Sequence, residues 1–143
     1  MPLILVITFC ITFDISIIMA STDNDQQLSQ VVNFMLEHTV RQMKQYSQAE
    51  MDKARMDVTV EQWVILKIIY QEKELTQVDL AGISLKDTAS ITRMIDILEK
   101  KELVIRNKDA ADRRKYLITL TKKGNAFVIK HMPLVIKLRQ QTI

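Results

Sequence analysis

The chain has 143 residues, enough for one hydrophobic core and too few for two independent ones. An apolar fraction of 48% excludes a disordered chain, and only two glycines and two prolines argue against a many-turned β fold and for long helices. The net charge of +3 hides an asymmetry: residues 1–85 carry 6 Lys/Arg against 11 Asp/Glu, residues 86–143 carry 14 against 6, and 103–143 alone carry 10 against 2. A basic face confined to one part of a small domain fits phosphate binding, although a solvated helix surface explains the charge equally well.

Residues 3–18 form an apolar, β-branched run that is short for a transmembrane helix, contains Asp14, and lacks the basic flank of a secretory signal. The polar stretch from Met19, MASTDNDQQ, looks like an ordinary protein start, so a mis-assigned upstream extension is the simplest reading. On that reading residues 19–143 form one cytoplasmic domain; a membrane anchor and an unusual genuine segment are the alternatives. Cys10 is the only cysteine, which excludes a disulfide framework and a cysteine-based zinc site. His38 and His131 have no ligand spacing and read as surface or packing residues. No metal and no cofactor are expected.

From about Asp25 to Ala54, Leu28, Val31, Val32, Met35, Leu36, Val40 and Met43 repeat at helical spacing without a breaker. Core packing is the default for that stripe, and a dimer contact is the sharper possibility. Thr59 opens the next helix as an N-cap, with Gln62 placed for a capping box and Val58 for a staple onto Trp63. The body from Trp63 to Tyr70 is apolar nearly all round, which predicts a central, buried helix with Trp63 in the core. Leu75-Thr76 and Asp79-Leu80 repeat the device for a short helix ending near Gly82, and Gln71–Leu75 reads as a tight connection. Asp87, or alternatively Ser84, caps a third helix whose Ile91, Met94, Ile95 and Leu98 form a buried stripe. Its outer side, Lys86, Ala89, Ser90 and Arg93, is small and polar with one long cation. Such a face can lie close to another surface, and Ser90 and Arg93 can donate to base edges or phosphates.

After Glu102 the period changes to that of strands, Leu103–Lys108 and Tyr116–Thr121, joined by the polar, basic tip Asp109–Lys115. Thr121 then caps a last helix, Lys122 to about Gln140, which Pro133 should kink. The fold class is mainly α with a small β-hairpin: a winged helix-turn-helix over about 58–121, flanked by helices at about 25–54 and 122–140. No Gly-rich phosphate loop, nucleophile elbow or His/Cys/Asp cluster is present, so an enzyme is not expected.

The order and separation of several segments resemble the MarR family of bacterial transcription regulators, over roughly Asp25 to Lys137. They are Leu75-Thr-Gln-Val-Asp-Leu-Ala81, Thr88-Ala-Ser-Ile-Thr-Arg-Met-Ile-Asp-Ile-Leu-Glu-Lys-Lys101 with Leu103-Val104, Asp112-Arg113-Arg114, and Leu120-Thr121 with Gly124. The resemblance implies a homodimer on a palindromic double-stranded DNA operator, usually a repressor, released by a small-molecule effector or by oxidation. Carried over, Lys86, Thr88, Ala89, Ser90, Thr92 and Arg93 belong to the DNA-contacting set around the recognition helix. Asp112 orients the wing, Arg113 enters the minor groove from its tip, and Arg114 and Lys115 contact phosphate. A narrow minor groove concentrates negative potential, which arginine exploits.

Two features depart from the family. Glu102 stands where glycine is usual, at a helix end that favours a left-handed residue, so strain or a different turn is expected there. The family's following dimerisation helix has no counterpart before Ile143, implying a reduced interface, a leader that substitutes for it, or a truncated product. With Met19 as the start, no cysteine remains to sense oxidation. A winged helix used for protein contacts without DNA is the competing reading.

Overall fold

The computed structural model describes residues 25–110, 112 and 114–142. The apolar run at 3–18, Cys10 and the wing-tip Arg113 lie outside the described residues. Among the described residues five helices and a hairpin follow one another as α1 (Asp25–Lys53), α2 (Val60–Glu72), α3 (Gln77–Ser84), α4 (Thr88–Lys100), β1 (Val104–Lys108), β2 (Tyr116–Leu120) and α5 (Lys122–Thr142). Among the described residues no helix is long and apolar enough to cross a membrane.

The helix starts follow local chemistry. Thr59 and Gln62 close a reciprocal capping box on α2: the Gln62 N–H donates to Thr59 Oγ1 at 3.2 Å and the Thr59 N–H to Gln62 Oε1 at 3.1 Å. Thr76 and Asp79 repeat it on α3, at 3.2 and 3.0 Å. Asp87, rather than Ser84, caps α4 by accepting from the Ser90 N–H at 2.8 Å. The Ser84 hydroxyl instead donates back to the Leu80 carbonyl at 2.6 Å.

The core forms where the apolar faces meet. Helix α2 buries Trp63, Ile65, Leu66 and Ile69, α3 adds Leu80, α4 adds Ile91, Ile95 and Leu98, β2 adds Ile118 and α5 adds Val128. Burying one such side chain contributes roughly 1.5–3 kcal/mol, which makes this cluster the main source of stability. Trp63 lies in it as expected, tilted against Phe127 with ring centroids 6.4 Å apart. His131 is a packing residue: its Nδ1 lies 2.9 Å from the Phe127 carbonyl and its ring 4.4 Å from the Phe127 ring. The stripe on α1 behaves differently. Val31, Met35 and Met43 are half-buried, whereas Val32, Leu36 and Val40 remain 46–60% exposed, so core packing does not account for these three.

The strands pair antiparallel, with Val104 opposite Leu120, Arg106 opposite Ile118 and Lys108 opposite Tyr116. The segment expected as a plain connection does more. Leu75 bridges Ile118, donating its N–H to the Ile118 carbonyl at 3.3 Å and accepting from the Ile118 N–H at 2.7 Å. It thus adds a single-residue third strand that welds the start of the helix-turn-helix to the wing. Helix α5 continues through Pro133 to Thr142. Near its start, Gly124 sits so close to the wing entrance that an added Cβ would stand 1.9 Å from the Leu103 carbonyl oxygen.

Glu102 takes the left-handed backbone, φ 60°. The turn around it has the usual geometry of a glycine-capped helix end: Leu103 N–H to the Leu98 carbonyl at 2.9 Å and Glu102 N–H to the Glu99 carbonyl at 2.8 Å. The departure from glycine therefore appears as backbone strain inside a standard turn, worth about 1–2 kcal/mol. Replacing Glu102 by glycine should raise the melting temperature by a few degrees in calorimetry. An unchanged or lower value would show that the Glu102–Lys123 pair at 2.8 Å outweighs the strain.

Candidate nucleic-acid interface

Helix α4 buries one side completely, with Ile91, Ile95 and Leu98 all at 0% exposure. The opposite side is thereby turned outward, and there Thr88, Ala89 and Arg93 are exposed and Ser90 is half-buried. Arg93 makes no ion pair with the described residues, so its guanidinium is available to an external partner. The Ser90 hydroxyl donates to Asp87 Oδ2 at 2.7 Å, which reinforces the cap and leaves its oxygen free to accept.

Two residues of the expected set are turned into the protein. Lys86 reaches back to Glu61 on α2 at 3.2 Å, where Glu61 also holds Lys44 at 3.0 Å. Those two ammonium groups, Lys44 first, hold the Glu61 carboxyl below the usual range. Thr92 donates its hydroxyl to the Thr88 carbonyl at 2.8 Å and sits 2.9 Å from the Gln77 amide. Both are half-buried and engaged within the domain.

At the wing, Asp112 organises the tip. Its Oδ1 accepts from the Arg114 N–H at 3.1 Å and from Arg114 Nε at 3.3 Å, while the Lys115 N–H donates to the Asp112 carbonyl at 2.9 Å. The Arg114 side chain remains 92% exposed and Lys115 is exposed beside it, so this turn presents cations outward.

The contact that joins the two parts was not anticipated. Arg106, on β1, pairs through Nη2 with Asp96 at 2.5 Å and through Nη1 with Glu99, both on α4. When the Gln77 amide nitrogen donates to Thr92, its oxygen accepts from Arg106 Nε and Nη2 at 3.2 Å. One guanidinium, with only 20% of its side chain exposed, therefore ties α3, α4 and the wing together. Arg106 is a positioning residue here. The signal available in sequence was an arginine in register with the buried Val104 on β1, with two carboxylates three residues apart on the preceding helix.

Comparison with known proteins bears on this arrangement. The MarR family model matches residues 58–116, from the start of α2 to the start of β2. Those residues carry the pattern of the MarR family. Among curated proteins similar to this chain, the transcriptional regulator HosA of Escherichia coli O157:H7 is 28% identical over 97 residues, covering 68% of this chain and 72% of HosA. The Staphylococcus aureus MepR–DNA complex superposes with a TM-score of 0.70 at 27% identity, covering 76% of this chain and 79% of that one. Bordetella bronchiseptica BpsR, solved for the regulation of its DNA binding by 6-hydroxynicotinic acid, gives 0.72 at 27% identity, with 78% of each chain covered. The winged helix-turn-helix of the MarR fold is thus the architecture of this chain. Among the described residues no group of three or more His, Cys, Asp or Glu is placed to hold a metal ion.

Two measurements follow from the geometry. Arg106→Met should weaken binding to duplex DNA by about tenfold while circular dichroism stays helical, because a hydrogen bond to a charged group is worth about 1.5–3 kcal/mol; unchanged affinity would remove the positioning role. The Asp79 and Asp87 carboxyls are both held below their ordinary range, chiefly by the hydroxyls of Thr76 and Ser90. Their contribution is present above the unfolded-state value and is lost as the pH falls through the folded one. Stability should therefore decline below about pH 4, and less steeply in Asp79→Asn/Asp87→Asn; equal slopes in wild type and double variant would refute it.

Proposed function

We propose that this protein is a transcription regulator that binds double-stranded DNA, with α4 in the major groove and the wing along the adjacent minor groove. The observation that carries the reading is the pairing of a bare helix face with an outward-pointing cationic hairpin, both held by Arg106. MepR, with a similar fold and 27% identity, was solved bound to DNA, and HosA is named as a transcriptional regulator. The protein is not an enzyme, and a winged helix used only for protein contacts is not favoured.

Within this reading Thr88, Ala89, Ser90 and Arg93 read bases, Arg113 occupies the minor groove, and Arg114 and Lys115 contact phosphates that Asp112 helps them reach. Lys86 and Thr92 act from behind, holding α2, α3 and α4 in register. A homodimer on a palindromic operator is proposed from the unburied apolar residues of α1, Val32, Leu36 and Val40, together with Ile129 and Ile136 on α5. Their burial against a second copy removes apolar surface that the monomer leaves in water. Repression relieved by a small-molecule effector is proposed on the family resemblance and on the effector-regulated BpsR. A cytoplasmic location is proposed on the same reading, since a bacterial regulator meets its DNA there.

Fluorescence anisotropy with genomic duplex fragments tests this. Binding should fall steeply with salt, with a log–log slope of several units, as phosphate contacts release counterions. Arg113→Ala should cost about tenfold, and Arg93→Ala should also change which sequences are preferred, since a base contact is worth about 1–3 kcal/mol. Unaltered affinity and preference in both variants would overturn the site assignment.

A further inference from the structure

Leu85 lies in the turn between α3 and α4, and its side chain is 94% exposed, more than any other large apolar residue described. Its backbone is left-handed, φ 54° and ψ 39°, a region where glycine and asparagine are at ease and a branched aliphatic side chain is not. The position therefore carries two unfavourable terms together, backbone strain and an apolar group in water. Nothing within the domain offsets either of them.

The backbone around Leu85 is nevertheless rigidly held. Its N–H donates to the Gly82 carbonyl at 3.4 Å, and the Lys86 N–H to the Ala81 carbonyl at 3.0 Å. On the following residue, the Lys86 side chain is anchored to Glu61 at 3.2 Å, and Asp87 immediately caps α4. The turn is thus fixed from both sides while one isobutyl group projects outward. Just beyond it on α4 come the exposed methyl of Ala89 and the exposed Arg93.

We propose that Leu85 is a sequence-reading residue that packs on thymine methyl groups in the major groove, beside Ala89. This rests on the DNA-binding reading above. In a helix-turn-helix the N-terminal end of the second helix lies nearest the base edges, and Leu85 stands directly ahead of that end. The thymine C5-methyl is the apolar feature that distinguishes the major-groove edges of the bases, and an aliphatic side chain is its complement. Hydroxyl and guanidinium groups already serve the hydrogen-bonding edges through Ser90 and Arg93, whereas Leu85 and Ala89 serve the methyl. A side chain pre-positioned on a rigid turn loses little freedom on docking, which favours retaining a strained leucine there.

The test uses the full-length protein and a duplex that it selects from a random-sequence pool, made also with deoxyuridine replacing each thymine of the half-site in turn. Leu85→Asn suits the left-handed backbone, so it should raise the melting temperature while weakening binding to the thymine duplex by about three- to tenfold. Deoxyuridine at one or two positions should cost the wild type the same factor and cost Leu85→Asn nothing. The inference is overturned if Leu85→Asn binds the thymine duplex as tightly as wild type. It is equally overturned if the methyl deletion costs both proteins alike, because another residue then reads it. Failure of the wild type to select any duplex would overturn the DNA-binding reading with it, an outcome distinct from tight, methyl-insensitive binding.

Discussion

The complete burial of Ile91, Ile95 and Leu98 is the constraint from which the rest of the interface follows. These three side chains lock the rotation of α4 about its own axis against the shared core, since any turn of the helix would drag apolar surface into water at several kcal/mol. Once that rotation is set, Ala89 and Arg93 have no choice but to face outward, and Thr92 is carried toward Gln77. A helix that approaches another surface closely needs such an anchor, because a displacement of one side chain's width would put its polar groups out of reach.

The wing needs a second anchor, since a two-stranded hairpin is marginal by itself. It receives two of different kinds. The backbone bridge between Leu75 and Ile118 extends the sheet by one residue, and Ile118 itself is fully buried. The Arg106 guanidinium then spans from β1 to Asp96 and Glu99 on α4, in a partly buried setting where charge-assisted hydrogen bonds are stronger than at an open surface. The Gly124 contact with the Leu103 carbonyl pins the base of the hairpin to α5. Beyond these anchors Arg114 and Lys115 stay exposed.

Glycine is scarce in this chain, and the consequence is visible at its helix ends. Arg55, Leu85 and Glu102 all occupy left-handed positions that glycine would fill without strain, and Lys73 has positive φ as well. Two of these flank α4, at Leu85 before it and Glu102 after it. Strain around α4 is tolerable because the cap at Asp87 and the hydrogen-bonded turn at Leu103 hold the backbone on each side.

Much of this was legible in the residues themselves, and the reason is locality. The caps at Thr59, Thr76 and Asp87 depend on partners three residues away, the α4 stripe on a period of 3.6, and the hairpin on alternation broken by a polar tip; each is written within a few positions of itself. What only the tertiary structure decided were contacts between distant parts of the chain. Lys86 turns to Glu61, Arg106 to Asp96, Glu99 and Gln77, and Leu75 to Ile118, and no periodicity encodes those meetings. The same holds for the α1 stripe: its spacing announces a buried face, but whether that face is covered depends on which surfaces the rest of the fold brings to it, and here Val32, Leu36 and Val40 are left open.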